Sequence, residues 1–260
     1  MLADLKAAWQ ASSDNNIGLI AAGMAHYALL ALVPALGAIV LAYGLFADPE
    51  TVASHITLLA QVLPASASEL IGNQLQEVSE GASGTKGLGL LASLAVALFG
   101  ARNGARSLMT GFNIVFHADS DRGLLRGNLV ALAITAAGLV GLILAGVAGA
   151  ALSNLAGVLG ALASPVLVAL GAAGAAALLL RFAPNAPGPS WRAIWPGAAL
   201  FALAWMGATA AFAFYAANFG SYNATYGALG AVLALITWFW VTGFLLLLSA
   251  EIVAQRDRGA

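Results

Sequence analysis

The stretch RFAPNAPGPSWR, residues 181–192, decides how this chain is read. Its prolines Pro184, Pro187 and Pro189, with Gly188 between them, cannot continue a helix. After the break an apolar run covers residues 193–217, then a hinge, NFGSYNATY, covers 218–226. A second apolar run follows over 227–250 and ends at Glu251. Each run exceeds the ~20 apolar residues that cross a bilayer as helix. The simplest reading is two membrane-length helices joined by a tight turn, and this register governs everything upstream.

Composition agrees. Of 260 residues, 61% are apolar and only 8% charged, where globular chains carry about a quarter. Ala, Leu and Gly dominate and strand-type alternation is absent, so the fold class expected is all-α. The net charge of −1 argues against nucleic acid as a partner, which usually requires a basic face. There is no cysteine, so disulfides, thiolate chemistry and cysteine metal sites are excluded. His26, His55 and His117 show no ligand spacing, and no cofactor or metal is expected.

Six spans are predicted, at about residues 17–46, 88–108, 129–151, 162–182, 193–217 and 227–250, in one membrane domain. The first is too long for a signal-peptide core and contains Pro34, which should kink it. Leu2, Leu5 and Trp9 lie at helical spacing ahead of it, either as an interfacial amphipathic helix or as a frayed terminus. Residues 48–87 are polar and acidic, with two apolar stripes that predict short amphipathic helices on the outer side. Arg102, Arg106, Met109 and Asn113 fall on one helical face. Gly141, Ala145 and Gly149 are spaced by four, a pattern that permits close helix packing.

Charge sets the orientation. Six spans put Lys6, Arg102, Arg106, Arg122, Arg126, Arg181, Arg192, Arg256 and Arg258 on one side, nine of the ten bases. The other side receives Lys86 and five of the eleven acids, Asp48, Glu50, Glu69, Glu77 and Glu80. The positive-inside rule then predicts that both termini are cytoplasmic.

Three segments resemble a known family. AAGMAHYALLALVP (21–34), ARNGARSLMTGFN (101–113) and the set Arg181, Pro184, Asn185, Trp191, Arg192, Pro196, Gly197, Tyr215, Tyr226, Gly227, Trp238 and Glu251 are similar to signatures of the YihY/BrkB family of bacterial inner-membrane proteins. The sequence departs from the pattern at His26 and Ala31, where Tyr and Ser are expected. The resemblance covers nearly the whole chain. It implies six transmembrane helices and a multi-pass inner-membrane location, with transport or envelope integrity as the roles discussed for members. An older ribonuclease label on the family finds no support in these residues, because hydrolysis would require clustered carboxylates or histidines.

Candidate pathway or structural residues are His26, Tyr27, Arg102, Arg106, Asn113, Arg181, Asn185, Tyr215, Asn218, Tyr226 and Glu251. Arg102 lies about 21 Å along its helix, so it is either a functional buried charge or an arginine snorkelling to headgroups. Arg106 is nearer the interface and favours snorkelling. His26 and Tyr27 either line a pathway or pack. Asn185 and Ser190 suit helix capping, and the tyrosines of the hinge suit an aromatic belt. Glu251 is expected near the cytoplasmic surface, paired with Arg102, Arg106 or Arg181 or exposed at a helix end.

The expected function is secondary transport or export of a small solute, ion or lipid, since no phosphate-binding loop for ATP is present. The alternative is an envelope factor that docks a protein through the acidic outer loop. An enzyme is not expected. Partners are membrane lipids and the transported species, with room for a homo-oligomer.

Overall fold

The computed structural model describes residues 2–46, 83–118, 122–123, 125–134, 137, 158–218 and 228–258. The polar segment 48–87 as far as residue 82, the small-residue stripe at Gly141, Ala145 and Gly149, and Tyr226 lie outside the described residues, while residues 83–87 are helical.

The regular secondary structure among the described residues is helical: α1 (Leu2–Asp14), α2 (Ile17–Phe46), α3 (Ser83–Val115), α4 (Leu125–Ile134), α5 (Val158–Phe182), α6 (Trp191–Asn218) and α7 (Ala228–Arg258). The N-terminal stretch is therefore helical, and α1 packs on α7. α3 extends at both ends beyond the span at 88–108, and its C-terminal end at Val115 is where the helical spacing of Arg102, Arg106, Met109 and Asn113 leads. Its glycines and arginines lower hydropathy without breaking backbone hydrogen bonding, so hydropathy alone understates the helix.

The helix ends have local causes. Asn16 separates α1 from α2 with a φ of 52°, a left-handed conformation that Asn tolerates better than most residues. His117 takes a φ of 50° just beyond α3, where Ala118 N–H donates to the Asn113 carbonyl at 2.9 Å. Such bonds satisfy carbonyls that a helix end would otherwise leave orphaned. At the start of α6 the Ser190 carbonyl accepts from Ala193 and Ile194, and its hydroxyl accepts from Ala193 N–H at 3.4 Å.

Packing divides the chain into two compact units. One comprises Met1–Tyr27 with Arg102–Ala260, the other Ala28–Ala101. In the second unit Gly100 lies directly against Ala31, where a Cβ would come within 2.8 Å of the Ala31 Cα.

In the first unit α5 packs on α6 and α6 on α7. Its core gathers Ile17, Phe112, Val115, Leu180, Ile194, Ala198, Leu247, Ala250 and Val253. These residues come from the start of α2, the end of α3, the end of α5, the start of α6 and the end of α7. The buried core therefore sits at one end of the long helices. Close approach requires glycine at two places. A Cβ on Gly111 would fall 2.7 Å from Leu247 Cδ2 and 3.1 Å from Ile20 Cγ2. A Cβ on Gly197 would collide with Val253 Cγ2 and lie 3.0 Å from the Ser249 carbonyl oxygen. Further along the pair, Trp205 Nε1–H donates to the Thr242 hydroxyl at 3.1 Å and Trp238 Nε1–H to the Thr209 hydroxyl at 3.4 Å. These bonds satisfy indole and hydroxyl groups between apolar helices.

Away from that core the helices expose large apolar side chains. Leu170 is 63% exposed, Leu203 68%, Phe214 67% and Leu233 61%. In water such a surface would be an aggregation hazard; in lipid it is the expected one. Among the described residues, three helical stretches are long and apolar enough to cross a membrane: Pro165–Phe182, Trp191–Tyr215 and Val232–Arg258. Shorter apolar stretches occupy Ile17–Ala31 and Leu125–Ile134.

Candidate functional site

The second half of α3 has two chemical faces. Ala105, Leu108, Met109 and Phe112 enter the core. Asn103, Arg106, Ser107 and Thr110 fall at i, i+3, i+4 and i+7, the spacing that aligns side chains along one helix face. That polar face meets the start of α2. A Cβ on Gly23 would touch the Ser107 hydroxyl at 3.5 Å, and one on Gly104 would touch Tyr27 Cβ at 3.8 Å. The small residues bring the two helices close and leave a groove of about 400 Å³ beside their contact. Ile20, Gly23 and Tyr27 line it from α2, and Asn103, Arg106, Ser107 and Thr110 line it from α3.

The groove is rich in donors. Only Thr110 has its hydroxyl hydrogen committed, to the Arg106 carbonyl at 3.0 Å. The Arg106 guanidinium, Asn103 amide, Ser107 hydroxyl and Tyr27 hydroxyl make no hydrogen bond to another described residue. Among the described residues, no carboxylate lines the groove. A second, apolar recess of about 270 Å³ lies between α2 and α7, lined by Ala22, Ala25, Ile236, Thr237 and Trp240.

The RFAPNAPGPSWR segment forms a different structure, a loop held from several directions. Arg122 reaches across to the end of α5 and donates to the carbonyls of Phe182 (3.1 Å), Ala183 (2.8 Å) and Pro184 (2.6 Å). A cation at a helix C-terminus is favoured by the helix dipole and satisfies the last carbonyls. Burial, reinforced by the Arg126 charge, lowers the Arg122 pKa from its ordinary value. An arginine nevertheless remains protonated.

Arg181 turns back on the loop that follows it and donates to the carbonyls of Gly188 and Pro189, with its guanidinium 5.9 Å from the Trp191 ring centroid. Gly188 has no room for a side chain, since a Cβ would lie 2.8 Å from the Arg181 carbonyl oxygen. Asn113 Oδ1 accepts from the Asn185 N–H at 2.7 Å, and Asp257 Oδ1 accepts from the Ser190 N–H at 2.9 Å. The ends of α3 and α7 thus grip the loop between α5 and α6.

Glu251 is fully buried, contrary to an exposed helix end. Its Oε1 accepts from the Asn15 side-chain amide at 2.6 Å, while Oε2 has no hydrogen-bond partner among the described residues. The acid therefore ties α7 to the turn after α1. None of the three arginines expected beside it is its hydrogen-bond partner.

The remaining sequence candidates separate. Arg102 is half-buried and donates twice to Asn128 Oδ1, from Nε at 3.2 Å and from a terminal nitrogen at 2.7 Å. This binds α3 to α4. His26 is exposed and meets the Tyr27 ring edge-on at 5.7 Å. Tyr215 is 45% exposed near the far end of α6, and Asn218 is the last residue of that helix. Of the stripe Arg102, Arg106, Met109 and Asn113, only Arg106 lines the groove. Sequence reasoning missed Asn103, Ser107 and Thr110 in the groove, and Asn15, Arg122 and Asn128 as tethers. The i, i+3, i+4, i+7 spacing would have found the first set. The tethers are long-range pairs with no local signal.

Comparison with known proteins fits a membrane chain of this design. The family described as "Virulence factor BrkB" matches residues 8–260. The chain is 28% identical over 211 residues to the ribonuclease-like protein YfkH of Bacillus subtilis strain 168, covering 76% of this chain and 75% of that protein. It is 36% identical over 81 residues to a UPF0761 membrane protein of Tolumonas auensis, covering 31% of this chain and 26% of the relative. No solved structure matches. With the profile spanning all but the first few residues, the chain belongs to the BrkB virulence factor family of membrane proteins.

Proposed function

We propose that this protein is a secondary transporter or exporter of the bacterial inner membrane, with six spans and both termini in the cytoplasm. The observation that carries the reading is the groove between α2 and α3, where an arginine, an amide and hydroxyls line an open cavity. A charge within a helical membrane bundle is costly and faces protein, a cavity or a functional partner. Arg102, Asn113 and Arg181 have structural partners; the Arg106 guanidinium has none among the described residues. It lines the groove and is open to a ligand.

The supporting points are the nine-to-one distribution of bases and the helix break at residues 183–190, a kind of interruption around which transporter sites form. Nothing catalytic enters this reading, since the groove offers hydrogen-bond donors and no nucleophile–base pair. Purified protein in liposomes should produce solute, ion or lipid flux that Arg106→Gln reduces. Wild-type liposomes that move none of these classes faster than protein-free ones would refute transport. For the topology, a reporter fused after Glu77 should read extracytoplasmic, and a cytoplasmic reading would refute six spans.

A further inference from the structure

We propose that the α2–α3 groove is a phosphate-binding site, with Arg106 as its anchor and Asn103, Ser107 and Tyr27 as supporting donors. This deepens the transport reading by naming the chemistry of the ligand, and it rests on the groove being the working site.

The lining is one-sided in its chemistry. Arg106 presents a planar fork of N–H donors, which pairs with phosphate oxygens two at a time. Asn103 adds two amide donors, and Ser107 and Tyr27 add one hydroxyl each. A cation would find acceptors there but also the Arg106 charge, with no carboxylate among the described lining residues to offset it. A neutral solute would leave that charge without a counter-charge in the groove. An anion satisfies both requirements.

Among anions, phosphate fits the geometry. Arg106 and Ser107 lie adjacent in sequence, Asn103 is one turn away, and Tyr27 approaches from the facing helix. Donor-bearing side chains from two helices therefore line one volume, which suits a tetrahedral group with oxygens pointing in different directions. The cavity of about 400 Å³ holds a phosphate with space to spare for whatever carries it. The groove is open along its side, so the phosphate can belong to a free ion or solute or to a lipid headgroup whose chains remain outside. The chemistry is shared, and the source is a matter for measurement.

Binding distinguishes them. Detergent-purified full-length protein is titrated separately with radiolabelled inorganic phosphate and with a short-chain phosphatidylglycerol, with the matching diacylglycerol as the uncharged control. At least one phosphate ligand should bind saturably, and the diacylglycerol should not compete for the site. Arg106→Gln should weaken binding about tenfold or more, the loss expected for one charge-assisted contact. Arg106→Lys should retain part of the affinity, since lysine binds phosphate as a point charge without the fork. Thermal melting of both variants close to the parent identifies the loss as one of affinity, because Arg106 is exposed and ties no elements together.

Binding of inorganic phosphate assigns a soluble ligand, and binding of phosphatidylglycerol alone assigns a headgroup; either supports the site. Failure of both ligands to bind, or equal binding by Arg106→Gln, overturns it. Liposome flux of a neutral solute without phosphate binding would refute this inference and leave transport standing. Phosphate binding without flux of any class would do the reverse.

Discussion

Replacing Arg122 by glutamine should loosen the loop between α5 and α6 more than any other single polar change. The guanidinium donates to three successive carbonyls, at 3.1, 2.8 and 2.6 Å. The bond to Phe182 is exposed, so water can replace it, and it contributes little. The bonds to Ala183 and Pro184 are partly buried. Hydrogen bonds from a charged donor contribute ~1.5–3 kcal/mol each, but two from one guanidinium share its desolvation cost, so about 3 kcal/mol in total is reasonable. For a chain of this size that corresponds to a fall in Tm of roughly 6–12 °C. Thermal unfolding of the purified protein, followed by tryptophan fluorescence, measures it with Trp191 as a nearby reporter. Arg122→Lys keeps a cation at the end of α5 but cannot span three carbonyls, so it should recover less than half of the loss. An Arg122→Gln variant that melts within about 2 °C of the parent would show that the loop does not depend on this clamp.

Other perturbations address other joints. Gly197→Ala places a methyl against Val253 and within 3.0 Å of the Ser249 carbonyl, a backbone atom that cannot rotate away. It should destabilise by about 1–3 kcal/mol in the same melting assay, the range for overpacking. Asn15 and Glu251 should be coupled. Asn15→Ala removes the donor bonded to a fully buried carboxylate, and should cost about 1–3 kcal/mol. In a Glu251→Met background the same change should cost far less. A double-mutant cycle with a coupling below about 0.5 kcal/mol would mean the 2.6 Å contact does not fasten α1 to α7.

The helices were legible because their cause is local. Runs of Leu, Ala and Gly longer than the bilayer, and a proline-rich break at residues 183–190, leave the backbone little alternative to what α5, α6 and α7 adopt. For α3, a helix of 33 residues, hydropathy alone falls short because its arginines and glycines lower it, while the helical spacing of Arg102, Arg106, Met109 and Asn113 leads to its end. The site was less legible still. For Arg106 the sequence favours snorkelling, with which its exposure is compatible, and the groove it shares with Tyr27 and Gly23 emerges only when α2 and α3 pack. Arg102 reads from sequence as either a functional buried charge or a snorkelling arginine, and its partner Asn128 lies 26 residues away and emerges only when α3 and α4 pack. Glu251 shows the same limit. Its nearest arginines in a topology diagram are not its hydrogen-bond partner, and Asn15, at the other end of the chain, is. Local periodicity determines which face is polar; tertiary packing determines which polar groups remain unpaired.

The central claim is that the face carrying Asn103, Arg106, Ser107 and Thr110 lines a water-accessible ligand groove, and Ser107 offers the direct test. The chain has no cysteine, so Ser107→Cys is a single reporter in an otherwise unreactive background. In intact proteoliposomes this thiol should react with a charged, membrane-impermeant reagent, and phosphate-bearing ligand should slow the reaction. Labelling only by an uncharged, lipid-soluble maleimide, unaffected by phosphate, would place Ser107 against lipid and contradict the account.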